Sequence, residues 1–81
     1  MKNIILSRQA KSDLKKLDNS IIDRIIRKIE SLKENPVALP LTGNLQGCYK
    51  LPVGQWRIIY TIDGDDVIIL NIGHRKDIYR H

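Results

Sequence analysis

The spacing of the apolar residues changes at the loop that begins with Pro36, and that change constrains the fold more than any other feature. Between Ser7 and Pro36, apolar residues recur every three or four positions, as on the buried side of amphipathic helices. After Gly47 they occur in short runs separated by glycines, which is typical of strands and tight turns. We therefore expect an α+β fold, in which the helices pack on one face of a sheet.

The first strand and the first helix are predicted from the opening residues. Residues 4–6 form a short apolar run that is consistent with a strand. Ser7 can then cap a helix that continues to about Leu17, with Ala10 and Leu14 on its buried side.

A second helix is predicted from Ser20 to about Glu34. Ser20 and Asp23 resemble a capping box, with Asp in place of the usual Glu. The buried stripe consists of apolar residues at helical spacing, namely Ile22, Ile25, Ile26, Ile29 and Leu32. Asn35-Pro36 ends the helix, because proline disfavours helical geometry in the residue before it. The two helices form an αα-hairpin.

Three strands are predicted after a loop over residues 36–47, at residues 48–53, 55–63 and 67–74. Glycines mark both intervening turns, so the strands form an antiparallel meander. The chain of 81 residues forms one domain, 1–81, because it is too short to divide. The sheet face away from the helices is expected to remain open to solvent or a ligand.

The register of the first hairpin determines which side chains meet. A two-residue turn at Val53-Gly54 would place Lys50 opposite Arg57 and Leu51 opposite Trp56. Two cations would then lie side by side on the open face, which suggests an anion between them. The alternative is that two long side chains separate in water at little cost.

The second hairpin has to keep the apolar sides of both strands on one face. That side of the middle strand is Trp56, Ile58, Tyr60 and Ile62, and that of the last strand is Ile68, Leu70 and Ile72. A three-residue loop, Gly64-Asp65-Asp66, satisfies this condition and places Asp63 opposite Val67 and Tyr60 opposite Leu70. Arg57 then lies opposite Gly73, which leaves space above it for a phosphate.

The charge and the single cysteine narrow the class of protein. Fourteen Lys and Arg against nine Asp and Glu give a formal net charge of +5, which favours a polyanionic partner or serves solubility alone. Cys48 is alone, no Cys/His spacing suits zinc, and no segment resembles a signal peptide or a membrane span. We therefore expect a cytoplasmic protein without a membrane association.

Residues near the end of the chain carry the groups that RNA cleavage without a metal requires. Between Gly73 and Arg80 there are three cations, His74 and Tyr79. Such a reaction needs a base for the ribose 2′-hydroxyl, cations for the phosphorane and an acid for the leaving 5′-oxygen. An aromatic ring can stack on an unpaired base.

Two segments resemble the RelE/ParE toxin superfamily. Residues 53–60, VGQWRIIY, resemble the hairpin pattern R-x-G-x-Y-R-x-x-Y, and residues 73–79, GHRKDIY, resemble the ending G-H-R-x-x-I-Y. The resemblance extends over essentially the whole chain. It implies the toxin of a type II toxin–antitoxin system with a RelE-like fold.

The resemblance also implies roles for individual residues. Arg57 matches the arginine that contacts the scissile phosphate, Arg75 the one assigned to the leaving group, and Tyr79 the tyrosine that stacks on the substrate base. Lys50 matches the first of two lysines in the hairpin, and Pro52 replaces the second, which is often proposed as the general base. The base is then His74 or Lys50, or catalysis is weak or absent; His74 is equally well a structural histidine. Lys76, which follows Arg75 in the sequence, is assigned to substrate binding.

Three functions are consistent with the resemblance. The first is a ribosome-dependent endoribonuclease that cleaves mRNA without metal or cofactor and leaves a 2′,3′-cyclic phosphate. The second is a ParE-like inhibitor of DNA gyrase without nuclease activity, and the third is a non-toxic co-repressor. Each implies an antitoxin that wraps the domain with an amphipathic helix and an extended arm, and contact with operator DNA only through that antitoxin.

Overall fold

The computed structural model of this chain describes residues 2–34, 41 and 47–78. The elements are β1 (Asn3–Leu6), α1 (Arg8–Lys15), α2 (Asn19–Ser31), β2 (Tyr49–Val53), β3 (Trp56–Asp63) and β4 (Asp66–His74). The predicted α+β fold is therefore confirmed, with most boundaries within one or two residues. Most of the predicted loop over residues 36–47 lies outside the described residues.

The four strands form one sheet in the order β1-β4-β3-β2. β2, β3 and β4 form the predicted antiparallel meander, and β1 joins the far edge by pairing parallel with β4 from Asn3↔Asp66 to Leu6↔Ile69. Among the strands that the structure describes, β1 and β2 therefore lie at the two edges of the sheet. Parallel pairing needs a long crossover, which the helices and the first hairpin supply.

Ser7 joins the start of α1 to the edge of β4. Its hydroxyl oxygen accepts a hydrogen bond from the Ala10 N–H at 3.0 Å, which confirms the predicted cap. The same hydroxyl donates to the Leu70 carbonyl at 2.6 Å, and the Ser7 N–H donates to the Ile69 carbonyl at 2.9 Å. The helix ends at Lys15, two residues before the predicted Leu17.

Asp13 continues this attachment beyond the end of β1. Its Oδ2 accepts the backbone N–H of Ile72 at 2.9 Å, and its Oδ1 accepts Nε2 of Gln9 at 2.8 Å. Since β1 pairs only as far as Ile69, the edge of β4 would otherwise present this donor without a strand partner. A helix side chain therefore takes the place of a neighbouring strand.

The second helix begins earlier than predicted. Asp18 is its N-cap residue and makes no side-chain capping hydrogen bond, and the Ile22 N–H already donates to the Asp18 carbonyl at 2.9 Å. The capping box predicted at Ser20 and Asp23 is therefore wrong, because both residues lie inside the helix rather than at its N-cap. The helix ends at Ser31 rather than at Glu34.

The turn between β2 and β3 lies one residue later than predicted. Val53 pairs with Trp56, so the turn residues are Gly54, with a φ of 60°, and Gln55. A positive φ at the first turn residue alone corresponds to a type II′ turn, and a β-branched Val53 would be strained in that position. Lys50 is consequently opposite Ile59, not opposite Arg57 as predicted.

The same shift changes the other predicted pair, because Leu51 faces Ile58 rather than Trp56. The residue directly opposite Arg57 is Pro52. The error is two positions in the pairing, so each side chain keeps its predicted face.

In the second hairpin, Arg57 pairs with Gly73 as predicted, but the loop and the register near the loop differ from the prediction. Its loop is the two-residue turn Gly64-Asp65, with Asp63 opposite Asp66, so the predicted three-residue loop is wrong. A bulge between Ile59 and Tyr60 then restores the register, because Tyr60 pairs with Ile69 while Ile59 pairs with Asn71. Tyr60 therefore does not face Leu70 as predicted.

The bulge also changes which residues of β4 face the helices. Leu70 and Asn71 both lie between the core residues Ile69 and Ile72, where a regular strand would have one residue. Val67 and Ile69 are therefore buried in the core instead of the predicted Ile68 and Leu70, and Ile72 is confirmed. The predicted set on β3 is confirmed, since its members are buried in the core or packed against it: Trp56, Ile58, Tyr60 and Ile62.

We predict that Asp13→Ala destabilises the domain by about 1–3 kcal/mol, the cost of leaving a buried donor unpaired. Ile72 is only 4% exposed, so water cannot readily replace the lost carboxylate. Asp13→Asn is the matched control, because its amide oxygen can still accept the Ile72 N–H. Urea unfolding of both variants measures the difference, and equal losses would contradict the assigned bond.

The two turn glycines provide a second matched pair. Gly54→Ala and Gly64→Ala each place a β-carbon at a φ of 60°, and each should lose about 1–2 kcal/mol of unfolding free energy. The β-carbon at Gly64 would meet nothing within 4 Å, whereas that at Gly54 would lie 3.1 Å from Nη2 of Arg24. Because this guanidinium is the free end of an exposed side chain, thermal unfolding should give two losses within about 0.5 kcal/mol of each other. A much larger loss for Gly54→Ala would contradict a movable Arg24.

Candidate functional site

Lys50 and Arg57 project from the same face of the sheet, opposite the helices. Residues paired across two strands share a face, and the pairs here are Lys50↔Ile59 and Pro52↔Arg57. We call this side, carrying Lys50, Pro52, Arg57 and Ile59, the outer face. Lys50 and Arg57 are diagonal neighbours on it, at a typical Cα separation of about 7–8 Å.

The Arg57 guanidinium is oriented by the turn that precedes it. Its Nη1 donates to the carbonyls of Gly54 and Trp56, each at 2.9 Å. Among the described residues, no further contact is made by its other donors. A guanidinium carries five N–H groups, so several remain to bind an anion in a fork.

Arg75 and Lys76 begin the turn that follows β4, and both are exposed. The Arg75 N–H donates to the Gln55 carbonyl at 2.8 Å, so this turn lies against the turn that carries Gly54. The His74 carbonyl accepts the N–H groups of Asp77 and Ile78, at 2.9 and 3.0 Å. Arg75 therefore lies beside the Arg57 turn and not beneath the helices.

His74 lies on the other side of the sheet from Arg57. It pairs with Trp56, whose ring it meets edge-on at a centroid distance of 5.5 Å. Its Nδ1 accepts the Lys76 N–H at 3.1 Å, and its Nε2 is 3.0 Å from Oε1 of Gln55. An accepting Nδ1 assigns the proton of the neutral ring to Nε2, which donates to Gln55. Both nitrogens are thus engaged in holding backbone and side chain together.

Gln55 is a residue of this site that the sequence analysis did not single out. Its backbone carbonyl accepts from Arg75 and its side-chain carbonyl from His74, so one residue joins both turns. The sequence offered one indication of its importance, namely its position directly before Trp56 and Arg57. A glutamine in a turn is common, however, and nothing else in the sequence distinguishes this one.

Gly73 does not leave a space above Arg57, contrary to the sequence-based prediction. A β-carbon on Gly73 would lie 2.9 Å from Cδ1 of Ile78, and Ile78 is only 7% exposed. The glycine therefore accommodates Ile78, which folds back over this part of the outer face. The face is not fully open, since Ile59 is 2% exposed as well.

The aromatic residues of the hairpin belong to the core, as expected from their spacing. Tyr60 is fully buried and Trp56 packs against the core. Burial raises the pKa of the Tyr60 hydroxyl above its usual value, with a smaller contribution from Tyr49, whose ring centroid is 5.6 Å away. These rings support the sheet from within and do not line the outer face.

The remaining predicted site residue, Tyr79, lies outside the described residues. Among the residues that the structure does describe, no three His, Cys, Asp or Glu side chains are grouped so that they could hold a metal ion. No helix within this part of the chain is long and apolar enough to cross a membrane.

Comparison with known proteins places this chain in a family. Residues 4–79 match the family model described as ParE toxin of type II toxin-antitoxin system, parDE. The chain is also similar to Toxin RelG of Mycobacterium tuberculosis, with 36% identity over 76 residues that cover 88% of this chain and 87% of that protein.

Solved structures show the same fold. The toxin–antitoxin complex RelBE2 from Mycobacterium tuberculosis contains a chain with a TM-score of 0.84 and 30% identity, covering 94% of this chain and 93% of that one. The intact Escherichia coli RelBE complex contains one with a TM-score of 0.76 and 19% identity, covering 91% and 96%. This chain therefore belongs to the RelE/ParE superfamily and is a toxin of a type II toxin–antitoxin system.

Proposed function

We propose that this toxin is a ribosome-dependent endoribonuclease that cleaves mRNA and leaves a 2′,3′-cyclic phosphate. The observation that carries the proposal is the position of Arg57 beside Lys50 on the outer face, next to the turn that begins with Arg75. The retained arginines match those of RelE-like toxins at the correct separation in the sequence. The chain is also similar to Toxin RelG and to a chain of the RelBE2 toxin–antitoxin complex, which supports a RelE-like toxin.

Arg57 is assigned to the scissile phosphate. Its Nη1 is held by two carbonyls, so the remaining donors are presented in a fixed direction before the substrate arrives. Preorganised donors of this kind stabilise the charge that develops on the phosphorane oxygens. Arg75 is assigned to the leaving oxygen, Lys76 to the flanking phosphate and Tyr79 to the substrate base.

Lys50 is the better candidate for the general base. His74 projects from the opposite side of the sheet, and both of its ring nitrogens are bonded to Gln55 and Lys76. Lys50 shares the outer face with Arg57 and can accept the proton of the 2′-hydroxyl when its amine is neutral. We assign His74 to positioning, because it holds the turn that carries Arg75.

Replacing either arginine tests the assignment. Arg57→Ala and Arg75→Ala should each reduce cleavage by roughly 10²–10³-fold, the usual effect of removing one preorganised donor from a developing oxyanion. The measurement is primer extension on a translated message, with Lys16→Ala as a control that removes an exposed cation of the first helical hairpin. The unfolding temperatures should remain close to that of the parent. Full cleavage in both arginine variants would overturn the site.

Pro52 offers a test in the direction of increased activity. It lies directly opposite Arg57, where the resemblance implies a lysine, and it is exposed at the edge of the sheet. Pro52→Lys should raise cleavage at least about tenfold, since a positioned base typically contributes more than that. Pro52→Ala is the control, because it removes the ring without supplying an amine. Equal rates in the two variants would show that this position is not suited to the base.

A ParE-like function is the second candidate, because the matched family model is described as a ParE toxin and Pro52 removes one catalytic lysine. This function inhibits DNA gyrase without nuclease chemistry. Expression in cells distinguishes the two. Cuts within codons of translated messages support the nuclease, whereas double-strand DNA breaks with a supercoiling defect support the gyrase inhibitor.

We also propose that a cognate antitoxin binds and neutralises this toxin. The similar chains of RelBE2 and RelBE were solved in toxin–antitoxin complexes. Co-expression with the antitoxin should restore growth under either candidate function.

A further inference from the structure

A second cationic feature lies away from the outer face, between α2 and the end of β2. Here an open groove of about 620 Å³ separates the helix from the edge of the sheet. Its lining residues are Arg24, Arg27, Lys28 and Ser31 of the helix and Pro52, Val53 and Gly54 of the hairpin. We call it the α2 groove.

The three cations of the α2 groove lie on two successive turns of the helix. Arg27 and Lys28 follow Arg24 by three and four residues, so each lies one turn beyond Arg24, with its Cβ about 5–6 Å from that of Arg24. In the described part of the chain, none of their side chains has an ion-pair or hydrogen-bond partner. Asp23 precedes Arg27 by one turn, yet the two form no ion pair. The groove therefore carries an uncompensated positive charge.

The groove and the outer face meet at Gly54. The ideal β-carbon position of Gly54 is 3.1 Å from Nη2 of Arg24, so this guanidinium lies directly against the turn. On the same residue, the Gly54 carbonyl accepts Nη1 of Arg57 at 2.9 Å. Two guanidinium groups, one from a helix and one from a strand, are thus brought to one glycine. The absence of a side chain at Gly54 is what allows Arg24 this approach.

We propose that the α2 groove binds the phosphate backbone of the RNA strand that flanks the cleaved phosphate. This inference rests on the proposed nuclease function and extends its substrate site from Arg57 past Gly54 to Arg27 and Lys28. A group of cations that lies next to a phosphate-binding arginine suits a strand with one charge per nucleotide. Arginine forks also match phosphate oxygens in a bidentate arrangement.

None of the described residues that line the groove has an aromatic side chain on which a base could stack. Its contribution to affinity is therefore electrostatic and independent of base identity. An acidic peptide is the competing occupant, and the test distinguishes the two.

The experiment measures binding of a short single-stranded RNA whose 2′-O-methyl riboses prevent cleavage. Fluorescence anisotropy over a salt series gives both the Kd and the slope of log affinity against log salt. The test variant is Arg24→Gln with Arg27→Gln, and the control is Lys11→Gln with Lys15→Gln, which removes the same charge from exposed positions of α1. Equal unfolding temperatures show that both variants are folded.

Each phosphate contact with a single strand contributes about 0.7 to the slope, so the test variant should lose about 1.4 in magnitude. Its Kd at low salt should rise at least about tenfold, while the control should change less than the test variant in both quantities. Equal slopes in test and control would overturn the inference. A polyglutamate peptide serves as the probe for an acidic peptide. The inference would also be overturned if the test variant retained its affinity for RNA but lost affinity for this peptide.

The two proposals fail in distinguishable ways. If Arg57→Ala abolishes cleavage but the groove variant binds RNA as the control does, only the α2 groove assignment is wrong. If cleavage never occurs and Arg57→Ala leaves RNA affinity unchanged, the nuclease function itself is wrong.

Discussion

The backbone of the turn at Gly54 and Gln55 accepts hydrogen bonds from both arginines of the candidate site. Arg57 reaches the Gly54 carbonyl through its guanidinium, and Arg75 reaches the Gln55 carbonyl through its backbone N–H. These residues are 18 positions apart in the sequence, so only the hairpin and the following strand bring them together. The positive φ of Gly54 makes the tight turn possible, and the missing side chain admits Arg24 on its other side. The turn at Gly54 and Gln55 therefore contacts cations of both the candidate site and the α2 groove.

The bulge between Ile59 and Tyr60 reconciles two requirements on the sheet. The Gly64-Asp65 turn sets one register at the start of β4, and the core needs another by the time the strands reach Ile58 and Ile72. One extra residue on β4 removes the conflict without exposing apolar side chains. The bulge lies between the far turn and the site, so the Arg57↔Gly73 pairing is unaffected by the shorter loop.

The candidate site combines cations to which we assign chemistry with side chains that hold the backbone around them. His74 illustrates the second kind: it bonds Gln55 and the Lys76 N–H and meets Trp56 edge-on, so it connects the core to the turn that carries Arg75. Asp13 and Ser7 act in a comparable way at the other edge, where they supply β4 with the hydrogen-bond partners that a longer β1 would have given. Polar side chains at strand edges thus determine where the functional segments lie.

The sequence by itself determined the order of the elements, the buried stripe of α2, the faces of β2 and β3 and the family. These follow from local spacing, from turn residues and from two motifs, all of which are properties of neighbouring residues. The cations Lys50, Arg57 and Arg75 were recognisable from their motifs alone, although their roles are still predictions. The tertiary structure decided the pairing of Pro52 with Arg57, the bulge, the positioning role of Gln55 and the covering of Gly73 by Ile78. Each depends on which distant backbone groups meet, and a strand pairing can slide by two residues without changing any local pattern.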